Sequence, residues 1–243
     1  MTVLLEVESL GKRFGGVTAV DDCSFGVPEG SVTALVGPNG SGKTTAFNLI
    51  TGYARPDSGS VRFAGASIRR PDPVRLARRG LTRTFQQARV FADLTLVQNL
   101  VAALQQPWWA AVRRAVRPHE RTRALELLEQ FGLSALAEER AGNLSYGQKK
   151  LLEFATVLMG EPQLVLLDEP TAGVNPVLVE QIEERIRDLN SRGLTFLVVE
   201  HNMNLVMRLC DPVVVLDHGT KLAEGRPDDV RNDPRVLDAY LGG

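Results

Sequence analysis

Four short apolar runs punctuate the chain: "SVTALVG" (31–37), "LVLLD" (164–168), "LTFLVVE" (194–200) and "VVVLD" (213–217). None alternates polar with apolar residues, which predicts strands covered on both faces, the pattern of a parallel sheet with helices packed against it. The N-terminal segment through residue 36 begins differently. There "LLEVES" (4–9) alternates and "SFGVPEG" (24–30) ends in a Pro/Gly turn, so half-buried strands joined by tight turns are predicted. Between the runs at 164–168 and 194–200 the period changes. In "NPVLVEQIEERIRDLNSRG" (175–193) Asn175 is an N-cap, Pro176 takes the first helical position, and Leu178, Ile182, Ile186 and Leu189 share one face before Gly193 stops the helix. This is a crossover helix. From 88 to 160 strand-like runs vanish and helical periodicity takes over through "VRPHERTRALELLEQFGL" and "LSYGQKKLLEFATVLMG", so a helical segment is inserted into an α/β core. The expected organisation is a single domain over 1–243, with a core formed by 1–87 and 161–243 and a helical subdomain at 88–160.

Composition narrows the class. The 243 residues are 44% hydrophobic and 23% charged, as in an ordinary globular protein, and the formal net charge of −1 gives no global electrostatic case for nucleic acid. Cys23 and Cys210 are too few and too far apart for a disulfide framework and predict reduced core thiols. The N-terminus turns acidic before a signal-peptide core can form, and no run approaches the ~20 apolar residues of a membrane helix. Any work at a membrane is expected to depend on another chain.

The strongest chemical signal is "GPNGSGKT", Gly37 to Thr44, which fits GxxxxGK[ST] and stands between a predicted strand and a predicted helix. Gly37, Pro38, Asn39, Gly40, Ser41 and Gly42 form a loop whose backbone N–H groups can cradle phosphates. Lys43 reaches the β and γ phosphates, the Thr44 hydroxyl ligates Mg²⁺, and the helix N-terminus adds its dipole, with Thr45 next on that helix. A nucleoside triphosphate is the expected ligand. In "LVLLDEP" an apolar strand carries Asp168 to its end, where it can hold Mg²⁺ through water, and Glu169 follows as a candidate base for the attacking water. That role expects the strand leading to Glu169 to neighbour the strand leading to the phosphate loop.

"LSYGQ", Leu144 to Gln148, ends 20 residues before Asp168 (168 − 148) and opens a helix whose N-terminal amides can bind phosphate. With the two motifs above it resembles the ATP-binding subunit of an ABC transporter. The resemblance extends over nearly the whole chain and implies a P-loop NTPase core with a mixed sheet, an N-terminal antiparallel β-subdomain and an inserted α-helical subdomain. It implies that Ser145, Gly147 and Gln148 close over the nucleotide of a second ATPase subunit, although Ser145 by itself also reads as an ordinary cap. It gives Phe14 in "KRFGG" an adenine-stacking role, where the residue alone equally fits a core aromatic. It gives Gln86 in "RTFQQ" the sensing of Mg²⁺ and water, and His201 a bond to the γ-phosphate, where a lone histidine after a strand more often has a structural part.

Two departures help to place the chain. Tyr146 stands within the usual signature glycine pair in place of a glycine, and the loop after Glu169 reads "TAGVN", with Asn175 where an aspartate is common. Together with "RFGGVTAVDD", "GLTRTFQQARVFADLTLVQNL" and "VEHNMNLVM", this pattern is similar to the ATPase subunits of branched-chain amino acid importers. Urea and short-chain amide importers share much of it, and the lipopolysaccharide-export ATPase resembles it outside the signature. The resemblance implies ATP and Mg²⁺ as cofactors, membrane permeases and a second ATPase subunit as partners, an extracytoplasmic solute-binding protein indirectly, and a place at the cytoplasmic face of the membrane. A chromosome-associated ABC ATPase needs a long coiled coil between its motifs, and a translation-associated one usually carries two ATPase domains. A soluble P-loop kinase has no use for "LSYGQ". In the helical insert, Arg113, Arg114, Arg117, Arg121 and Arg123 predict a solvated helix face, whereas Trp108 and Trp109 suit a membrane-near or partner contact.

Overall fold

The structure, a computed structural model, describes residues 2–69, 71–85, 89–104 and 116–241. Two sheets organise it. The first is antiparallel, in the order β2-β1-β4-β5, from β1 (Val3–Phe14), β2 (Val17–Pro28), β4 (Ser58–Phe63) and β5 (Ala66–Ser67). The strands at 58–67 were not foreseen, because a six-residue segment carrying two serines and a glycine has little periodicity to read.

The second sheet runs β10-β9-β3-β8-β7-β6, through β3 (Val32–Val36), β6 (Leu81–Arg83), β7 (Leu164–Asp168), β8 (Thr195–Val199), β9 (Val213–Asp217) and β10 (Thr220–Gly225). Its strands are parallel except for β10, which pairs antiparallel with β9 and makes the sheet mixed. All residues of β3, β7 and β8 are buried, as continuous apolar runs require.

Because side chains alternate across a strand, each run feeds two cores. Leu35, Leu166, Leu197 and Val214 face helix α1 (Lys43–Ile50) and the antiparallel sheet. Val36, Leu167, Val198 and Val215 face the opposite side, where α3 (Leu96–Ala102), α4 (Pro118–Gln130), α5 (Tyr146–Leu158) and α6 (Pro176–Ser191) pack, whereas α2 (Pro73–Arg78) lies against β6 and buries Leu76 in the core shared with α1. The helix opening at the phosphate loop and the helix opening at "LSYGQ" therefore lie on opposite faces of the central sheet. In α6 Asn175 caps through a 2.9 Å bond from the Leu178 N–H, and Leu178, Ile182 and Ile186 are buried as expected. After β8 come α7 (Met203–Leu209), β9, β10, α8 (Pro227–Arg231) and α9 (Pro234–Leu241).

Cys23 and Cys210 are buried without a disulfide, and burial pushes their thiols up to about 11 and about 12. They are inert core residues. Arg121 and Arg123 lie on a half-exposed helix face, paired with Glu138 at 2.6 Å and Glu126 at 3.8 Å. Arg113, Arg114, Trp108 and Trp109 lie outside the described residues.

Candidate nucleotide site

The loop between β3 and α1 is shaped by its glycines. Gly42, the N-cap of α1, has φ 99°, and a Cβ there would stand 2.4 Å from the Ala19 carbonyl oxygen on β2. Only glycine fits both that backbone and that approach. No side chain caps α1, so its first N–H groups face the loop. Lys43 is 6% exposed, and its Nζ donates to the Gly37 carbonyl at 2.8 Å, the Pro38 carbonyl at 2.8 Å and Ser41 Oγ at 3.3 Å. Burial lowers its pKa from the usual lysine value, and the charge of Glu169 acts in the opposite sense. A desolvated ammonium held in the loop by two carbonyls and a hydroxyl suits phosphate oxygens. Thr44 is exposed at the helix start, Thr45 is half-buried, and Asn39 and Gly40 form the exposed crest of the loop.

Asp168 ends β7 with 5% exposure. Its Oδ2 accepts from Arg83 at 2.6 Å, and Arg83 also donates to Asn48 Oδ1 on α1 at 2.7 Å and to Thr51 Oγ1 at 3.2 Å. The guanidinium sits among the rings of Phe47, Tyr53 and Phe85, all within 5.7 Å. Arg83 thus joins α1 to the carboxylate at the strand end. It stands in the same "RTFQQ" as Gln86, and only the pairing of β6 with β7 reveals its part. Gln86 itself lies outside the described residues. The segment before it is held from α5: the Phe85 N–H donates to Glu153 Oε1 at 3.0 Å, and Lys150 Nζ donates to the Phe85 carbonyl at 3.3 Å.

Glu169 is 18% exposed at its side chain and adopts φ 47°, a backbone strain of a kind that concentrates at functional sites. Its Oε1 lies 2.7 Å from His201 Nε2. The expectation that the strands of Glu169 and the phosphate loop are neighbours is corrected, because β8 stands between β3 and β7 and pairs with both. At the usual strand spacing this sets β3 and β7 about 10 Å apart. The intervening strand delivers His201, so the base candidate meets the histidine rather than the phosphate loop. Glu169, Thr171, Glu200, His201 and Asn202 line a cleft of about 510 Å³.

On the other face of the sheet, Ser145 caps α5 through a capping box: Ser145 Oγ accepts from the Gln148 N–H at 3.3 Å, and Gln148 Oε1 accepts from the Ser145 N–H at 2.9 Å. The side chain of Gln148 is engaged there. A Cβ on Gly147 would lie 2.6 Å from Leu178 Cδ2 on α6. The Tyr146 hydroxyl donates to the Ala172 carbonyl at 3.4 Å, so the signature leans on the loop that follows Glu169. Phe14 ends β1 with 54% exposure and Lys12 Nζ 5.5 Å from its ring, which leaves a face for stacking and removes the core reading.

The residues present suit Mg²⁺: a hydroxyl at a helix start and a buried carboxylate at a strand end form a hard oxygen set. Thr44 and Asp168 would hold it, where it would neutralise and orient phosphate oxygens.

The family model described as "ABC transporter" matches residues 20–172, and one described as "Branched-chain amino acid ATP-binding cassette transporter" matches 220–243. The chain is 40% identical to the high-affinity branched-chain amino acid transport ATP-binding protein BraF of Pseudomonas aeruginosa, over 98% of each chain. Among solved structures, the ADP conformation of an ATP-binding cassette of an ABC transporter superposes with TM-score 0.90 at 34% identity over 100% of both chains. A dimeric post-hydrolysis cassette bound to ADP and Pi is similar at TM-score 0.78 and 26% identity, over 92% of this chain and 98% of that one.

Proposed function

The chain belongs to the ABC transporter family of ATP-binding proteins, and from that premise we propose that it hydrolyses ATP to power import of branched-chain amino acids. The observation that carries the hydrolytic reading is the 2.7 Å contact between Glu169 and His201, set beside a strand end that holds Asp168 and across one strand from the Lys43 loop. Glu169 accepts a proton from the attacking water, and His201 orients Glu169 and bonds the γ-phosphate. Lys43 and the loop amides hold the β and γ phosphates, and Phe14 stacks on adenine. Ser145 and Gly147 complete the site of a second subunit. Their position across the sheet from α1, and the similarity to a dimeric cassette, support that arrangement.

The branched-chain substrate is favoured over urea, short-chain amides or a lipid by the match of the C-terminal residues 220–243 to the branched-chain family model and by the name of BraF. Permease subunits hold the chain at the cytoplasmic face of the membrane, and a solute-binding protein delivers cargo to them. Among the described residues no helix is long and apolar enough to cross a membrane, which supports attachment through those subunits.

Phosphate release with Mg²⁺ and ATP tests the hydrolysis. Glu169→Gln is expected to cut the rate by roughly 10²-fold or more while ATP still binds. Unchanged turnover would remove the base assignment. In vesicles reconstituted with the partner permeases and binding protein, ATP-dependent leucine uptake is expected without urea uptake, and the reverse result would overturn the substrate.

A further inference from the structure

Glu200 is a buried carboxylate with no part in the chemistry assigned above. It is 4% exposed and lies between the end of β8 and His201. Its Oε1 accepts from the Thr171 N–H at 3.0 Å and from the Thr171 hydroxyl at 2.5 Å. Its Oε2 accepts from the N–H groups of His201 at 3.0 Å and Asn202 at 3.2 Å. These donors belong to two loops, one that follows β7 and carries Glu169 and Thr171, the other containing His201. Beneath them β7 and β8 end in register at Asp168 and Val199, and the Glu169 N–H donates to the Val199 carbonyl at 2.9 Å. Beyond that backbone bond, the Glu200 carboxylate ties the two loops together again through their backbone N–H groups.

An ionised carboxylate offers about four acceptor positions. Here backbone and hydroxyl donors meet both oxygens, as a buried carboxylate requires. A carboxamide of the same shape could not do this, since its NH₂ would confront N–H donors on one of the two loops. Alanine would leave the donors of both loops unmatched.

We propose that Glu200 is a positioning residue for hydrolysis, which fixes the loop of Glu169 against the loop of His201 and so sets their 2.7 Å contact. The inference rests on the reading of Glu169 as base and His201 as its partner. Glu200 touches no reacting atom in this scheme. It holds the backbone that carries two side chains whose alignment matters, and an error on the order of 1 Å in such an alignment can cost about 10²-fold in rate.

The test separates turnover from binding. Glu200→Gln is expected to lower kcat by about 10- to 100-fold through misalignment, with KM and the calorimetric ATP affinity within about twofold of wild type. Thr171→Val, which removes only the hydroxyl donor, is expected to lower kcat several-fold with the same unchanged KM, and it serves should Glu200→Gln not fold. In the Glu169→Gln background, Glu200→Gln is expected to add less than about twofold, because residues acting as a unit are not additive. If Glu200→Gln and Thr171→Val both leave kcat unchanged, or lower kcat only together with ATP affinity, the proposal is overturned. Full additivity of Glu200→Gln with Glu169→Gln overturns it as well. Normal turnover of Glu169→Gln alone, with Glu200→Gln impaired, would instead strike down the base assignment on which the proposal rests.

Discussion

The phosphate loop and the signature are both glycine-bearing helix starts, yet they finish their helices in opposite ways. At α1 the N-cap is Gly42 in a left-handed conformation and no side chain caps the helix, so the first amides are left to the loop. At α5 the N-cap is Ser145, and its hydroxyl and the Gln148 carboxamide satisfy one donor at each end of the capping box. The first arrangement leaves amides beside the buried Lys43, whose ammonium is held by the Gly37 and Pro38 carbonyls, which suits an anion. The second makes a stable helix end with only part of its donors to spare, which suits a surface that completes another subunit's site. One helix start has a backbone only glycine fits and its own lysine beside it, while the other is capped by its own side chains and, in the proposal above, serves a partner subunit.

That contrast breaks most readily at Gly42. Gly42→Ala meets the fixed Ala19 carbonyl, and strain plus overlap are expected to cost about 3 kcal/mol in urea unfolding and to abolish ATP binding measured by calorimetry. Retained binding would mean that the cradle is not set by this backbone. Lys43→Ala should weaken ATP binding by about 10- to 100-fold, the value of a charge-assisted hydrogen bond, while the fold persists. A titration with a fluorescent nucleotide reads this directly.

The need for a partner is sharpened by mixing two damaged chains. Lys43→Ala and Ser145→Arg homodimers should each be inactive. Random pairing gives mixed dimers with one intact composite site, restoring about a quarter of the wild-type sites and a corresponding ATPase rate. No recovery would favour a site built within one chain. The smallest effect is expected from Ser145→Ala, which loses a cap worth about 1 kcal/mol. Thermal unfolding should register that loss, and the ATP affinity of the isolated chain should not change.

Much of the site was legible because its parts are local. A phosphate loop is a few consecutive residues whose backbone is dictated by glycine, and "GPNGSGKT" therefore reads as a site before any fold is known. Asn175, Pro176 and the face of Leu178, Ile182 and Ile186 likewise follow from a helix acting on its own sequence. The parts that were not legible depend on pairing between distant segments. Arg83 reaches Asp168 across 85 residues because β6 lies beside β7. Thr171 and Glu200 meet across 29 residues because β7 and β8 end in register.

By itself, then, the sequence determined the parallel core, the crossover helix, the phosphate loop and the order of the motifs, since each of these is written in a period or a short run of neighbours. Tertiary structure alone decided that β8 separates the strands of Lys43 and Glu169, that the α1 and α5 helix starts face opposite sides of the sheet, and that one buried carboxylate joins two loops. Strand order and side-chain meeting are set by how buried faces pack, and a linear pattern records which faces are apolar without recording which of them will touch.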